Sequence, residues 1–210
     1  KFGNFYKESK YDKSFCFKWH QLRVGSVGAS SLSKIITSTG KRSSQRKAYL
    51  YTLAVEILTG QTAESFSNQH MKDGIEREPQ ARMTFQLETM KQVEEVALIF
   101  PDGRPGYHIS PDGLVIGEDA GLELKSVIPA TQIKYLDKRK LPTEYKLQCQ
   151  MSLFVTGWDT WWFCSHHPAL PPFILPVKRD GELILIIEKE LNIFVSELIE
   201  LVKKLKEKVA

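Results

Sequence analysis

Two short stretches of the chain carry side chains that could do chemistry together. Ser110-Pro111-Asp112-Gly113 has the composition of a tight turn, and Leu122-Glu123-Leu124-Lys125 has the alternation of a strand. Residues two apart on a strand share a face, so Glu123 and Lys125 project together while Leu122 and Leu124 turn into a core. If the stretches pair as a hairpin through the turn at 117–121, Asp112 at the far end of the partner strand approaches both. Two carboxylates at one sheet edge are the hard oxygen donors that Mg²⁺ or Mn²⁺ takes, with water, a backbone carbonyl and phosphate oxygens completing the octahedron. Lys125 beside them could orient or deprotonate a water and neutralise charge building on a pentacovalent phosphate. A solvated, salt-bridged hairpin is the plainer reading of the same residues.

Positioning these groups requires a sheet and helices to back it. The pattern predicts a short helix over 29–37, with Ser30 or Ser31 as N-cap and Gly40 as the stop. A second helix over 44–59 has Leu50, Leu53, Ala54, Ile57 and Leu58 apolar and ends at Gly60. A third surrounds 74–91, where Pro79 demands either a start near Ile75 or a kink. The period then shortens, giving strands over 96–100, 107–110, 113–116 and 122–127, with turn chemistry at Pro101-Asp102-Gly103. A helix over 143–156 follows Pro142, and strands over 160–165 and 173–177 flank a Pro-rich loop. Apolar residues at Leu183, Ile187, Leu191, Phe194, Leu198, Leu201 and Leu205 predict a long amphipathic helix, whose turns over 183–187 could instead be a strand. This order gives an α/β or α+β fold with a central mixed sheet flanked by helices.

Composition narrows the classes. The 210 residues are 42% hydrophobic and 26% charged with 13 Gly and 10 Pro, the profile of one compact domain rather than a disordered or collagen-like chain. No apolar run reaches the roughly 18 residues of a membrane helix, so no membrane association is expected. The sequence starts at Lys1 and shows no signal-peptide pattern, which makes the cytoplasm the expected compartment. Cys16, Cys149 and Cys164 form neither a paired framework nor a C-x-x-C, which excludes a disulfide scaffold and a zinc ribbon. The formal net charge of +4 hides an asymmetry, because residues 1–50 carry 11 Lys+Arg against two acids and the remainder sums to −5. A basic front end suits a polyanion, and an ordinary solvated surface explains it equally well.

Three further groups bear on the chemistry. Tyr145, Gln148 and Ser152 share one polar stripe of the helix over 143–156, while Leu147, Met151 and Phe154 face elsewhere and Gln150 reads as structural. His108 lies near the Asp112 turn but has no second His at ligand spacing, and His166-His167 is a loop pair, so no zinc is expected. Trp19, Trp158, Trp161, Trp162 and Phe163 could stack on bases, although their large apolar area favours the core.

Asp112 with Glu123-Leu124-Lys125 resembles the P-D…(D/E)-x-K nuclease signature. Its first half extends over Ser110 to Leu114, and three more motifs occur in order around it: Trp19-His20-Gln21-Leu22-Arg23-Val24-Gly25 with Gly28-Ala29-Ser30; Gly74-Ile75-Glu76-Arg77-Glu78-Pro79-Gln80-Ala81-Arg82; and Tyr145-Lys146-Leu147-Gln148-Cys149-Gln150-Met151. Together, over about residues 19–163, they resemble the phage lambda exonuclease, or YqaJ-like viral recombinase, family.

That resemblance implies a restriction-endonuclease-like core and a Mg²⁺-dependent 5′ to 3′ exonuclease, with Mn²⁺ as a substitute ion. It would degrade one strand of double-stranded DNA to leave 3′ single-stranded tails for recombination. It implies Asp112, Glu123 and the Leu124 carbonyl as metal ligands, Glu78 on a second metal or its water, and Lys125 and Gln148 in catalysis. Glu76 competes with Glu78, but lies roughly 200° away round a helix, so only one can face the site. Arg23 and Ser30 carry over as the 5′-phosphate pair, with Tyr145, Lys41 and Arg42 on the DNA backbone. A homotrimeric ring and a single-strand annealing partner are implied in the same way. The chain would then be one nuclease domain over 1–210, with a basic end-binding part over 1–50, a catalytic core over 70–165 and a C-terminal helix over 182–208. Three scattered cysteines cannot supply the four needed by related nucleases that carry an iron–sulfur cluster. The competing readings are a same-fold restriction-like or junction-resolving endonuclease and a DNA-end-binding protein with a vestigial core.

Overall fold

The computed structural model describes residues 5–6, 13–62, 69–101 and 106–209, with side chains over 18–62, 77–101 and 106–208. The order is β1 (Phe5–Tyr6), α1 (Lys13–Arg23), β2 (Val27–Gly28), a 3₁₀ segment (Ala29–Lys34), α2 (Arg46–Thr59), α3 (Gln69–Thr89), β3 (Val93–Glu94), β4 (Leu98–Ile99), β5 (Tyr107–His108), β6 (Gly113–Val115) and β7 (Ala120–Ser126). Then come α4 (Pro129–Lys138), α5 (Thr143–Thr156), β8 (Thr160–His167), β9 (Leu170–Lys178) and α6 (Gly181–Val209). The main sheet has the order β3-β6-β7-β8-β9, antiparallel except for the parallel β7–β8 pair. A parallel pair needs a crossover, and α4 with α5 supplies it. This is the mixed, helix-flanked sheet expected from the sequence.

Alternation along β7 and β8 divides the interior. Leu122 and Leu124 pack with Ala81 and Phe85 of α3 and with Cys164 on one face of the sheet. Trp161 and Phe163 point to the other, where Leu147, Met151 and Val155 of α5 and Ile187, Leu191 and Phe194 of α6 form the larger core. Trp158, Trp161 and Phe163 are buried, so these aromatics serve packing. Gly121 is required where β7 crosses this core: a Cβ there would overlap the Trp161 indole ring.

Three stretches differ from the sequence expectation. The residues expected as a helix over 29–37 form a 3₁₀ segment over Ala29–Lys34 with no serine side-chain cap, because the cap position falls on Gly28, which has no side chain. Helix α4 has no counterpart in the sequence pattern, because its buried side consists of Gln132 and Tyr135, which present no apolar period. The Pro-rich loop is instead part of β9, which tolerates Pro171, Pro172 and Pro176 because it is the sheet's edge strand. Residues 183–187 follow the expected amphipathic helix and not its strand alternative, since Asp180 accepts the Leu183 N–H at 3.1 Å and starts α6. Pro79 lies inside α3, which begins at Gln69. The turn residues Asp102 and Gly103 and the side chains of Cys16 and Glu76 fall outside what is described. Among the described residues, no helix is long and apolar enough to cross a membrane.

Replacing Gly121 with Ala should lower the unfolding free energy by about 2 kcal/mol, as overpacking of a filled core does. Urea denaturation followed by tryptophan fluorescence checks it, and an unchanged midpoint would contradict the packing described.

Candidate active site

The β6–β7 register places Gly113 opposite Leu122, and the backbone ladder continues one step further with Asp112 N–H donating to Leu122 O at 3.0 Å. The Asp112 side chain then reaches along β7, where Oδ2 accepts the Leu124 N–H at 2.7 Å. Glu123 points to the α5 side of the sheet and is only 2% exposed. Its Oε1 receives the Gln148 Nε2–H at 2.7 Å and is ion-paired with the Lys125 ammonium. Burial opposes the charge on Lys125, but Glu123 and then Asp112 outweigh it and hold the ammonium above the ordinary lysine value. Tyr145 adds its ring face, 5.3 Å from Lys125 Nζ, and itself stacks on Phe163 at 5.2 Å. Tyr145 is therefore braced between Lys125 and the core. Cys149, next to Gln148, is fully buried, and desolvation with the nearby Glu123 charge drives its thiol pKa up, so it is inert.

From the opposite face, α3 braces the same turn. Arg82 is 7% exposed and donates from Nε to Asp112 O at 3.0 Å, from Nη2 to Glu78 Oε1 at 2.8 Å and from Nη1 to Glu95 Oε1 at 2.5 Å. Glu78 thus bears on the Asp112 turn through Arg82. Among the described residues, no cluster of three or more His, Cys, Asp or Glu side chains is assembled for a metal. The donors brought together are Asp112, Glu123 and the side-chain amide of Gln148, all oxygen-bearing.

A second set of groups adjoins the first. The parallel pair β2–β5 places Gly28 opposite His108. One cleft is consequently lined by Arg23, Gly28 and Ser30 from the N-terminal part, by His108 and Ser110 from the β5 side, and by Glu123, Gln148 and Ser152. Arg23 ends α1, with its guanidinium 4.1 Å from the Trp19 ring centroid and its Nε donating to His108 Nε2 at 3.1 Å. Ser110 and Ser152 line this cleft although they were not singled out for the phosphate end. The signal for Ser110 was its place directly before Pro111-Asp112. His108 is 1% exposed, and burial followed by the Arg23 charge lowers its pKa to about 3, so the imidazole is neutral.

The basic tract divides in two. Arg42 pairs with Glu190 at 2.8 Å and Arg46 with Glu197 at 2.5 Å, so both guanidiniums tie the front of the chain to α6. Lys41 and Lys47 remain exposed. Gln150 is structural as expected: its amide donates to Lys178 O at 2.8 Å and accepts the Asp180 N–H at 2.9 Å.

Comparison with known proteins adds the following. Residues 18–159 match the model of the YqaJ-like viral recombinase domain. The fold is similar to that of an alkaline exonuclease, LHK-Exo, from Laribacter hongkongensis, with 33% identity over 92% of this chain and 97% of that one and a TM-score of 0.83. A structure of LHK-Exo in complex with dAMP matches at 34% identity, the same coverage of 92% and 97%, and a TM-score of 0.83. A phage-related exonuclease from Haemophilus somnus 129PT shares the fold at 17% identity, over 86% of this chain and 96% of that one, with a TM-score of 0.65. Among curated proteins, no sequence match was found.

Removing the Lys125 charge should leave the Glu123 carboxylate buried without its cation. Lys125→Met is expected to cost about 3 kcal/mol of stability in chelator, the lower end for breaking a buried pair. Adding Glu123→Gln should recover most of that loss in urea denaturation, and a Lys125→Met loss below about 1 kcal/mol would contradict the pairing.

Proposed function

The chain belongs to the YqaJ-like viral recombinase domain family, and from that premise we propose that it is a deoxyribonuclease that digests one strand of duplex DNA from a 5′-phosphorylated end. One observation carries this reading: Arg23 and Ser30 line the same cleft as Glu123 and Gln148. A guanidinium and a hydroxyl suit a terminal phosphate, while the carboxylates would hold a divalent metal beside the next phosphodiester. An endonuclease needs no end pocket beside its cutting site. The neighbouring structure of LHK-Exo with dAMP, a mononucleotide, supports a product of that size.

The donor set fits Mg²⁺, with Mn²⁺ as a substitute, because Asp112, Glu123 and the Leu124 carbonyl offer only hard oxygens. Glu78 would act on a second ion through its water. Bound there, the ions supply Lewis acidity at the scissile phosphoryl group. Lys125 holds the attacking water and offsets the negative charge that gathers on the phosphorus oxygens. Gln148 steadies a phosphate oxygen, and Arg23 with Ser30 fixes the end so that each advance presents the next bond. Tyr145, Lys41 and, beside its ion pair, Arg42 contribute to the DNA backbone path.

The exposed residues Met83 and Leu87 on α3 with Met90 just after it, and Tyr51, Val55 and Leu58 on α2, support association of identical chains, for which the family resemblance implies a trimeric ring. The 3′ tails would pass to a single-strand annealing protein in the cytoplasm of a bacterium or phage-infected host.

Linear duplexes labelled at either the 5′ or the 3′ end, assayed with Mg²⁺ and with chelator, test this. Loss of the 5′ label first, with no activity in chelator, is expected, and efficient cutting of covalently closed DNA would favour the endonuclease reading. Asp112→Asn and Lys125→Ala should each reduce degradation at least about 100-fold, the scale of removing one preorganised electrostatic group. Arg23→Ala should reduce the preference for phosphorylated over hydroxyl ends by about 10- to 100-fold, as expected for a charge-assisted hydrogen-bonded contact.

A further inference from the structure

His108 has no part in the chemistry described so far, yet it is buried in the cleft lining with both ring nitrogens engaged. It is 1% exposed, on a strand whose partner residue is Gly28. Its Nε2 lies 3.1 Å from Arg23 Nε, and its Nδ1 lies 2.8 Å from Ser26 Oγ. A guanidinium only donates, so Nε2 must be the unprotonated nitrogen. The proton then sits on Nδ1 and is donated to Ser26, which fixes both the tautomer and the ring orientation.

This arrangement decides how Arg23 is presented. A guanidinium can grip an anion either side-on, through Nε and one Nη, or end-on, through both Nη groups. His108 occupies Nε, and Trp19 covers one face of the guanidinium at 4.1 Å. The two Nη groups are the donors left to form a fork. Gly28 borders the same groups: a Cβ there would be 3.2 Å from His108 Nε2 and 3.8 Å from Arg23 Nη2. An arginine side chain loses considerable rotamer freedom when it binds a phosphate, and a neutral, buried acceptor removes that cost beforehand.

We infer that His108 is a positioning residue for 5′-end selection, holding Arg23 by its Nε so that the guanidinium meets a terminal phosphate end-on. The inference rests on the proposed role of Arg23 at that phosphate. Its neutrality supports it, since an imidazolium would repel the cation it holds, and the low pKa of about 3 keeps His108 uncharged through the working range.

The test compares initial rates on phosphorylated and hydroxyl 5′ ends for the parent, Arg23→Ala, His108→Leu, His108→Gln and Ser26→Ala. Leu keeps an apolar filling without an acceptor, whereas Gln can return an acceptor oxygen near the Nε2 position. His108→Leu should lower the phosphate-to-hydroxyl ratio about tenfold, the scale of one hydrogen bond to a charged group, and Gln should restore most of it. Ser26→Ala, which leaves the ring in place but frees its tautomer, should lower the ratio about threefold. An unchanged ratio in His108→Leu, or an equal fall on both ends that Gln does not restore, overturns the inference. Should His108→Leu not fold, a parental ratio in Ser26→Ala overturns it instead. No phosphate preference in the parent, or none lost in Arg23→Ala, overturns the Arg23 reading itself. Loss in Arg23→Ala without loss in His108→Leu overturns only the role of His108.

Discussion

The carboxylate of Glu123 is almost fully withdrawn from water, and the surrounding architecture follows from the need to compensate it. A lone charge at 2% exposure would be prohibitive. Lys125, two residues along the same strand, supplies the countercharge, and Gln148 on α5 supplies a hydrogen bond. Tyr145, one turn before Gln148, covers the lysine. These groups must also bind a metal and a phosphate in the proposed reaction, so the burial that strains the folded chain is what preorganises its chemistry. The cost is offset by the two hydrophobic layers, which clamp β7 between α3 and α5.

The second dependency is the two-residue pairing of β2 with β5. It is only two residues long, yet it brings Arg23 and Ser30 beside His108 and Ser110 across some 80 residues of sequence. The adjacent Glu56 carboxylate accepts the Gly25 N–H at 2.9 Å and fixes the turn that leads into β2. Arg42 and Arg46 secure the same front end to α6 through Glu190 and Glu197. The long C-terminal helix therefore acts as a brace for the end cleft as well as a wall of the core.

Much of this was legible in the sequence, for identifiable reasons. The bounds of helix α5 are legible because Pro142 precedes it, and the structure shows Gly157, at φ +71°, ending it where expected. The pairing of Asp112 with the Glu123 strand followed from alternation and turn chemistry, both of which are local. What escaped was non-local or polar. Helix α4 buries Gln132, whose amide bonds Ser165 and the Pro171 carbonyl, so its inward side resembles a surface. The bracing of Asp112 by Arg82 needs three acceptors that meet only in the folded chain, and the His108–Arg23 contact needs the β2–β5 pair. The basic tract over 41–47 looked uniform in sequence, but two of its arginines are bound to carboxylates about 150 residues away.

The central claim is that the end pocket and the cutting site are one cleft, so that the bond broken is set by the distance from the terminal phosphate. The size of the first product tests it most directly. A duplex carrying a radiolabelled 5′-phosphate, sampled within one turnover, should release the label as a 5′-mononucleotide with no longer labelled fragment. Labelled oligonucleotides of mixed length as the first products would contradict the account.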